Sequence, residues 1–463
     1  MSEVSMEKIV SLCKRRGFIY PGSEIYGGLS GTWDWGPMGV ELKNNVKNLW
    51  WRMFVQERDD MYGVDAAILM NPMAWEASGH VSGFSDPLVE CKKCKKRFRA
   101  DQVGKECPEC GGALGEVKQF NMMFKTQVGA TEDPSAITYL RPETAGGIFV
   151  NFKNVVDSFH PKLPFGVAQI GKAFRNEIAP RDFIFRVREL EQMEVEYFVR
   201  PEEWESAFEE WRKNVHAFND AVGIPKSAVH ELEVPDGERA HYSKRTIDFE
   251  FDWPFGRKEL YGLAYRTDFD LSAHAKGSGQ DLSYLDEETK QKFIPHVIEP
   301  SFGVDRTILA LLISAYAEDE LGSSSAPPSP KATDGHGKAS EDKGEKRVFL
   351  RFNKAVAPVK AAVFPLLKNK PELVSKAREV YEMLKKVQPQ IMWDDNGNIG
   401  KRYRRQDEIG TPVCITIDFD TLGDPSTSSG QAKPELKDTV TLRNRDTGEQ
   451  ERVSIDSLAA RIA

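Results

Sequence analysis

The chain has 463 residues, enough for about two to four domains at roughly 150 residues each. With 63 basic and 71 acidic side chains it carries a formal charge of −8, and 40% of its residues are hydrophobic. That composition excludes a collagen, a wholly disordered chain and a supercharged DNA-coating protein. No apolar run approaches the ~18 residues of a membrane helix, and Met1 to Gly17 is charged and amphipathic without a secretory core. A cytoplasmic protein with no membrane association is expected.

In chain order, Met6, Ile9, Val10 and Cys13 fall at helical spacing over residues 1–16, and Val46, Leu49, Trp50, Met53 and Phe54 do so over 46–54. Between these helices Tyr26 to Gly39, rich in glycine and aromatics, reads as an ordered loop or short strand. Cys91-x2-Cys94 and Cys107-x2-Cys110 follow, with twelve residues between the pairs, the spacing of two knuckles that present four thiolates to Zn2+. A pair of disulfides is the other reading, and a reducing compartment favours the metal. Residues 88–115 are thus predicted to be a zinc-binding insertion. Cys13 and Cys414 are isolated and read as buried small hydrophobes.

From about 160 to 275 the pattern is one of strands. Met193, Val195, Tyr197 and Val199 alternate with Glu194, Glu196 and Phe198, so the two glutamates share one face. Trp204, Phe208, Trp211, Val215 and Phe218 then form a helical stripe, and residues 303–316 form another. Gly322 to Gly344, rich in Ser, Pro, Gly, Lys and Asp, reads as a flexible linker. Beyond it, strands at 347–352 and 411–418 and helices at 371–387 and 455–462 predict a compact α/β module, with a surface loop over 423–437. The expected division is 1–321, a linker at 322–346, and 347–463.

The densest polar signal runs from Phe174-Arg-Asn-Glu177 through Arg186-Val-Arg-Glu189 to Gln192-Met-Glu-Val-Glu196. Such crowding needs either a charged ligand or a salt-bridge network. An arginine on a strand can clamp a phosphate, and a glutamate two residues on shares its face and can accept from an amine. Further on, Glu299-Pro-Ser-Phe-Gly-Val-Asp-Arg306 leads into an apolar helix, which places Gly303 and Arg306 at a helix N-terminus suited to a polyphosphate. A glycine turn with a solvated arginine is the plainer alternative.

Together these segments resemble motifs 2 and 3 of the class II aminoacyl-tRNA synthetases. With Trp33-Asp-Trp-Gly-Pro-Met-Gly-Val-Glu-Leu-Lys43, Arg141-Pro-Glu-Thr-Ala145, Gln169-Ile-Gly-Lys172, Lys258-Glu-Leu-Tyr-Gly262 and Ile399-Gly-Lys-Arg-Tyr-Arg-Arg405, the chain is similar to the homodimeric glycyl-tRNA synthetases over nearly its whole length. The resemblance implies an α+β fold: a catalytic domain with an antiparallel sheet flanked by helices, the zinc-knuckle insertion, and a C-terminal mixed α/β anticodon-binding domain. It implies glycine, ATP and tRNA(Gly) as substrates, Mg2+ and a structural Zn2+ as cofactors, and a homodimer paired through the region of Pro37 and the helix after it.

Carried over by motif, Arg175 meets the α-phosphate and Arg306 the far phosphates, these two being the catalytic residues. Glu177 takes the adenine amine, Phe185 stacks on the ring, and Glu259 lies near Mg2+. The implied ATP site also includes Asn176, Arg186, Val187, Arg188, Glu189, Leu190, Leu260, Gly303, Val304 and Asp305. The implied glycine site comprises Glu143, Leu190, Glu191, Gln192, Met193, Glu194, Glu299, Pro300, Ser301, Phe302 and Gly303, with Arg99 as a further contact. Two positions depart from the family pattern: Gly146 stands where glutamine is usual, and Leu190 where phenylalanine is usual. For tRNA, Lys401, Arg402, Arg404 and Arg405 are four basic residues in five, and Lys92 to Arg99 holds six in eight. Both runs suit phosphate backbones, or are solvated faces. A synthetase for another amino acid and a noncatalytic nucleic-acid-binding subunit are the rival readings. The set of pocket glutamates argues against the first, and the presence of Arg175, Glu177 and Arg306 against the second.

Overall fold

The computed structural model describes residues 4–130, 133–240, 242–320, 346–423 and 434–462. The expected linker at 322–344 lies outside them, as does the loop at 423–437 apart from Gly423 and residues 434–437 with their turn at Pro434–Leu436. Two compact units divide the chain. The first takes in 21–34 and 46–310, and the second 1–20, 35–45 and 311–463. The second therefore includes segments that the sequence groups with the N-terminal half. Among the described residues no helix is long and apolar enough to cross a membrane.

Helix α1, Met6–Arg16, starts where the Ser5 side chain accepts from the Lys8 N–H and stops at Gly17 in the left-handed region. Helix α2, Pro37–Trp51, begins well before the predicted Val46. Gly36, Pro37 and Gly39 look like breakers, yet a proline in the first turn is already set for a helix. Strand β1, Met61–Gly63, follows, and then a small three-stranded sheet of β2 Ser85–Glu90, β3 Arg97–Arg99 and β4 Lys118–Asn121, from which both cysteine knuckles project.

The main sheet is built from the strands predicted between 160 and 275, with their neighbours. After helix α3, Ala145–Phe159, come β5 Phe165–Phe174, β6 Glu189–Val199, helix α4 Trp204–Val222, β7 Val229–Glu233, β8 Arg245–Trp253 and β9 Gly256–Thr267. Helix α5 Phe269–Ser278, β10 His296–Gly303 and helix α6 Val304–Ala315 follow. The seven strands lie in the order β7-β8-β9-β10-β6-β5-β1, all antiparallel except the β1–β5 pair. One face packs on α3 and α5 through Phe149, Phe152, Phe165, Phe198 and Leu271. On the other, Phe302 of β10 meets the rings of Phe54, Phe218 and Tyr261. The predicted alternation of residues 193–199 therefore has both faces buried, because helices cover each side.

In the second unit β11 Tyr316–Asp319 pairs with β12 Arg347–Leu350. Then come β13 Ala361–Pro365, α7 Pro371–Val387, β14 Ile391–Trp393, α8 Ile399–Ile409, β15 Val413–Ile417, β16 Thr439–Asn444, β17 Gln450–Ser454 and α9 Leu458–Ile462. The sheet order is β14-β13-β15-β16-β17, with parallel pairs around β13 and antiparallel ones after β15. This is the expected mixed α/β module. Residues 1–20 join the unit partly because Glu408 of α8, only 2% exposed, takes Arg15 Nε at 3.2 Å and pairs with Arg16.

The basic run on α8 corrects one expectation. Arg402 is 1% exposed, and its two Nη groups donate to the carbonyls of Pro365, Asp395 and Gly397, so it is held inside the module away from any tRNA surface. Arg405 pairs with Asp394 at 2.8 Å, which leaves Lys401 and Arg404 as the exposed members. The reason is helical geometry: at about 100° per residue Arg402 lies about 160° round the helix from Arg404, on the side of the buried Tyr403 and Gln406, while Lys401 and Arg404 share the exposed side.

Candidate active site

A cleft of about 350 Å³ opens over the ends of β6, β8, β9 and β10 in the first unit. The period of two decides which predicted residues reach it. On β6 Leu190, Gln192 and Glu194 line the cleft. The side chain of Glu191 pairs instead with Lys47 at 3.0 Å, its N–H donates to Asp305 at 2.8 Å, and Met193 lies in the core. On β10 Glu299, Ser301 and Gly303 face the cleft while Phe302 fills the core and Pro300 alternates away. Register then sets Glu194 beside Ser301, whose Oγ donates to Glu194 Oε1 at 2.7 Å, and Thr144 at the start of α3 donates to the other oxygen.

Glu143, just before that helix, reaches the cleft with His80 Nε2 at 3.4 Å. Burial works to raise its pKa, but His80, Arg266 and Arg175 outweigh it and hold the carboxyl down at about 2. Glu299 goes the other way. Burial, with Glu194 and Glu143 adding repulsion, raises it above the ordinary carboxylate range, and Arg266 2.9 Å away works against that rise. Arg266 was not singled out in the sequence and is central here. It is 1% exposed, grips Asp270 bidentately at 2.7 and 2.8 Å, and its guanidinium lies 3.7 Å from the Tyr242 ring centroid. The available signal was Arg266 and Asp270 four residues apart at a strand–helix junction. The departure at Gly146 has a physical cause: a Cβ there would lie 2.8 Å from the Trp75 ring, so indole fills the space a longer side chain would need.

At the other end of the cleft Arg175 donates from Nε to the Pro142 carbonyl at 3.0 Å and lies 5.6 Å from the Phe84 ring centroid, and among the described residues its two Nη groups make no hydrogen bond or ion pair. Glu177 is buried, with Arg186 Nη1 at 3.8 Å and no hydrogen-bond partner for Oε2. Phe185 packs edge-on to Trp253 and Phe255, and the Arg306 guanidinium lies 4.5 Å above its ring while donating to Glu259 at 2.9 Å. Arg306 draws Glu259 below the usual carboxylate range. Asp248, unmentioned by the sequence reading, also lines the cleft and is raised to about 7 by burial and then by Glu259. Arg186, Val187, Leu260 and Asp305 complete that wall. Asn176 and Arg188 stand behind it: the Asn176 N–H donates to Met122, and Arg188 to the carbonyls of Ser30 and Glu177. Glu189 pairs outside with Lys172, and Val304 is core. Arg99 pairs with Asp86 and Asp101 beside β2 and does not line the cleft.

Among the knuckles, Cys91 and Cys110 Sγ lie 3.6 Å apart and Cys94 and Cys107 Sγ 3.7 Å, with all four sulfurs within 4.8 Å of one another. Four ligands at about 2.3 Å around a tetrahedral Zn2+ have S···S edges of about 3.8 Å, so the donor set fits that ion. The same distances are far too long for disulfides. Gly112 suits the site, since a Cβ would lie 2.8 Å from Lys93 Cβ and 3.1 and 3.2 Å from the Cys91 and Cys110 sulfurs.

Comparison with known proteins gives the family of this chain. The family model described as tRNA synthetase class II core domain (G, H, P, S and T) matches residues 124–315, and that described as anticodon binding domain matches 360–463. The glycine–tRNA ligase of Thermobifida fusca (strain YX) is 50% identical over 99% of this chain and 97% of its own. That of Clostridium tetani (strain Massachusetts / E88) is 48% identical over 100% and 98%, and that of Treponema denticola (strain ATCC 35405) 46% identical over 99% and 97%.

Proposed function

Because this chain belongs to the glycine–tRNA ligase family of the class II synthetases, we propose that its cleft binds glycine at the glutamate end and ATP at the arginine end. The enzyme attaches glycine to tRNA in an ATP-dependent reaction, first as glycyl-adenylate with release of pyrophosphate and then by transfer to the terminal adenosine. The observation that carries the site assignment is the convergence of Glu143, Glu194, Glu299 and Arg266 on one end of a cleft whose other end holds Arg175, Phe185 and Arg306.

Glycine has no side chain to grip, so selection rests on its ammonium and on the absence of room for a Cβ. Glu194, aimed by Thr144 and Ser301, and Glu143, held ionised beside His80, supply charge-assisted acceptors, with Glu299 as the third carboxyl. The glycine carboxylate attacks the α-phosphorus; the new O–P bond forms as the bond to pyrophosphate breaks. Arg175, anchored through Pro142, stabilises the charge that develops there. The adenine amine donates to Glu177, whose Oε2 lacks a hydrogen-bond partner among the described residues. Arg306, over the Phe185 ring and paired with Glu259 in this structure, is the cation within reach of the far phosphates when adenine stacks on Phe185. Glu259, with Asp248 nearby, offers the oxygen donors that suit Mg2+, which when bound neutralises phosphate charge.

The four thiolates would hold a structural Zn2+ at the small sheet. The family reading extends to tRNA(Gly) binding by residues 347–463 with Lys401 and Arg404 exposed, to a homodimer paired near Pro37 and α2, and to a cytoplasmic location. Glu194→Gln tests the glycine end. The glycine KM in ATP–pyrophosphate exchange should rise at least tenfold, as expected for loss of a charged acceptor, with the ATP KM little changed. An unaltered glycine KM contradicts the assignment.

A further inference from the structure

Beneath the glycine end lies a carboxyl group that the reaction above does not use. Glu196 follows Glu194 by two residues on β6 and shares its face. The pairings Glu194↔Ser301 and Tyr197↔Ile298 set Glu196 opposite Glu299 on β10. Its side chain is 0% exposed, and neither carboxyl oxygen has a hydrogen-bond partner among the described residues. One oxygen from each of Glu194, Glu196 and Glu299 lies within 4.8 Å of the other two. The nearest cation, Arg266 of β9, is turned to Glu299 and to Asp270 of α5, and Phe198, next on the same face, belongs to an apolar cluster.

Two carboxylates directly across a strand pair, in a dry interior and with one arginine already shared, do not both ionise. As an anion Glu196 leaves two buried acceptors unmatched, whereas as an acid it has an O–H to give. Burial and its carboxylate neighbours raise Glu299 as well, but Arg266 stands 2.9 Å from Glu299 and makes no such contact with Glu196, so the one proton the pair shares sits on Glu196 and the charge stays on Glu299.

We propose that Glu196 is a positioning residue of the amino-acid pocket, a carboxylic acid whose O–H donates to the Glu299 carboxylate and fixes it for the glycine ammonium. Burial and the neighbouring Glu299 push Glu196 well above the ordinary carboxylate range, in keeping with this arrangement. The inference rests on reading this end of the cleft as the glycine pocket.

Glu196→Leu removes the donor at similar volume, and Glu196→Gln returns a neutral one. In ATP–pyrophosphate exchange the glycine KM of E196L should rise about tenfold with the ATP KM within about twofold of wild type, and E196Q should recover most of that loss. Infrared spectra of the ligand-free enzymes should show a carboxylic-acid C=O band in wild type that E196Q lacks. Three results overturn the proposal: E196Q as impaired as E196L, glycine and ATP KM rising together, or no acid band lost. Should E196L fail to fold, the infrared comparison decides alone. Failure of the pocket reading is seen separately, as wild-type exchange that does not respond to glycine.

Discussion

Set Phe174–Glu196 beside Ile399–Ile409: both stretches are dense in arginine and glutamate, and the sequence offers each as a binding surface. In the first, the loop after β5 leaves Arg175 Nη and Glu177 Oε2 facing a cleft without hydrogen-bond partners among the described residues. In the second, Arg402 is consumed by three carbonyls, Arg405 by Asp394, and Asp407 by Arg443 at 2.8 and 3.0 Å. The difference teaches that charge density marks a ligand site only where the local period leaves the charged atoms unmatched. A helix of the same composition uses its charges to hold a module together.

The widest separation between the two regions should come from Arg175→Ala. Exchange should fall about 10²- to 10³-fold, the scale of a lost transition-state donor, while the thermal unfolding midpoint hardly moves. Near-normal exchange would place Arg175 with the structural arginines. Arg402→Ala should do the reverse, costing about 3 kcal/mol through three buried carbonyls left unpaired, seen in denaturant unfolding of the full chain. A stable R402A with weakened tRNA binding would instead return Arg402 to the surface. The smallest effect belongs to the knuckles: metal analysis should find one zinc per chain in wild type and none in Cys107→Ser, with an unfolding midpoint lower by a few degrees. Equal metal content in the two would remove zinc from the account.

Much of the fold is legible in the sequence because the strongest periods decide it. The stripe from Trp204 to Phe218 and the helix Pro371–Val387 need only spacing, and the alternation at 193–199 gives β6. The start of α2 is hidden, since Pro37 and Gly39 are breakers in isolation but the first turn of a helix in context. In the cleft, Arg175, Glu177, Glu194 and Glu299 are carried by dense motifs. Arg266, His80 and Asp248 are not, because each acts through partners remote in sequence: Arg266 through Glu299, His80 through Glu143 and Asp248 through Glu259. Arg402 shows the converse error, where a local run suggests exposure and the packing of α8 denies it.

Glycine selectivity by a set of buried carboxylates is the central claim, and ATP–pyrophosphate exchange by the purified enzyme across the twenty amino acids, without tRNA, tests it most directly. The account predicts exchange with glycine alone, with alanine and serine at background. Comparable exchange with alanine, or with any larger amino acid, would contradict it.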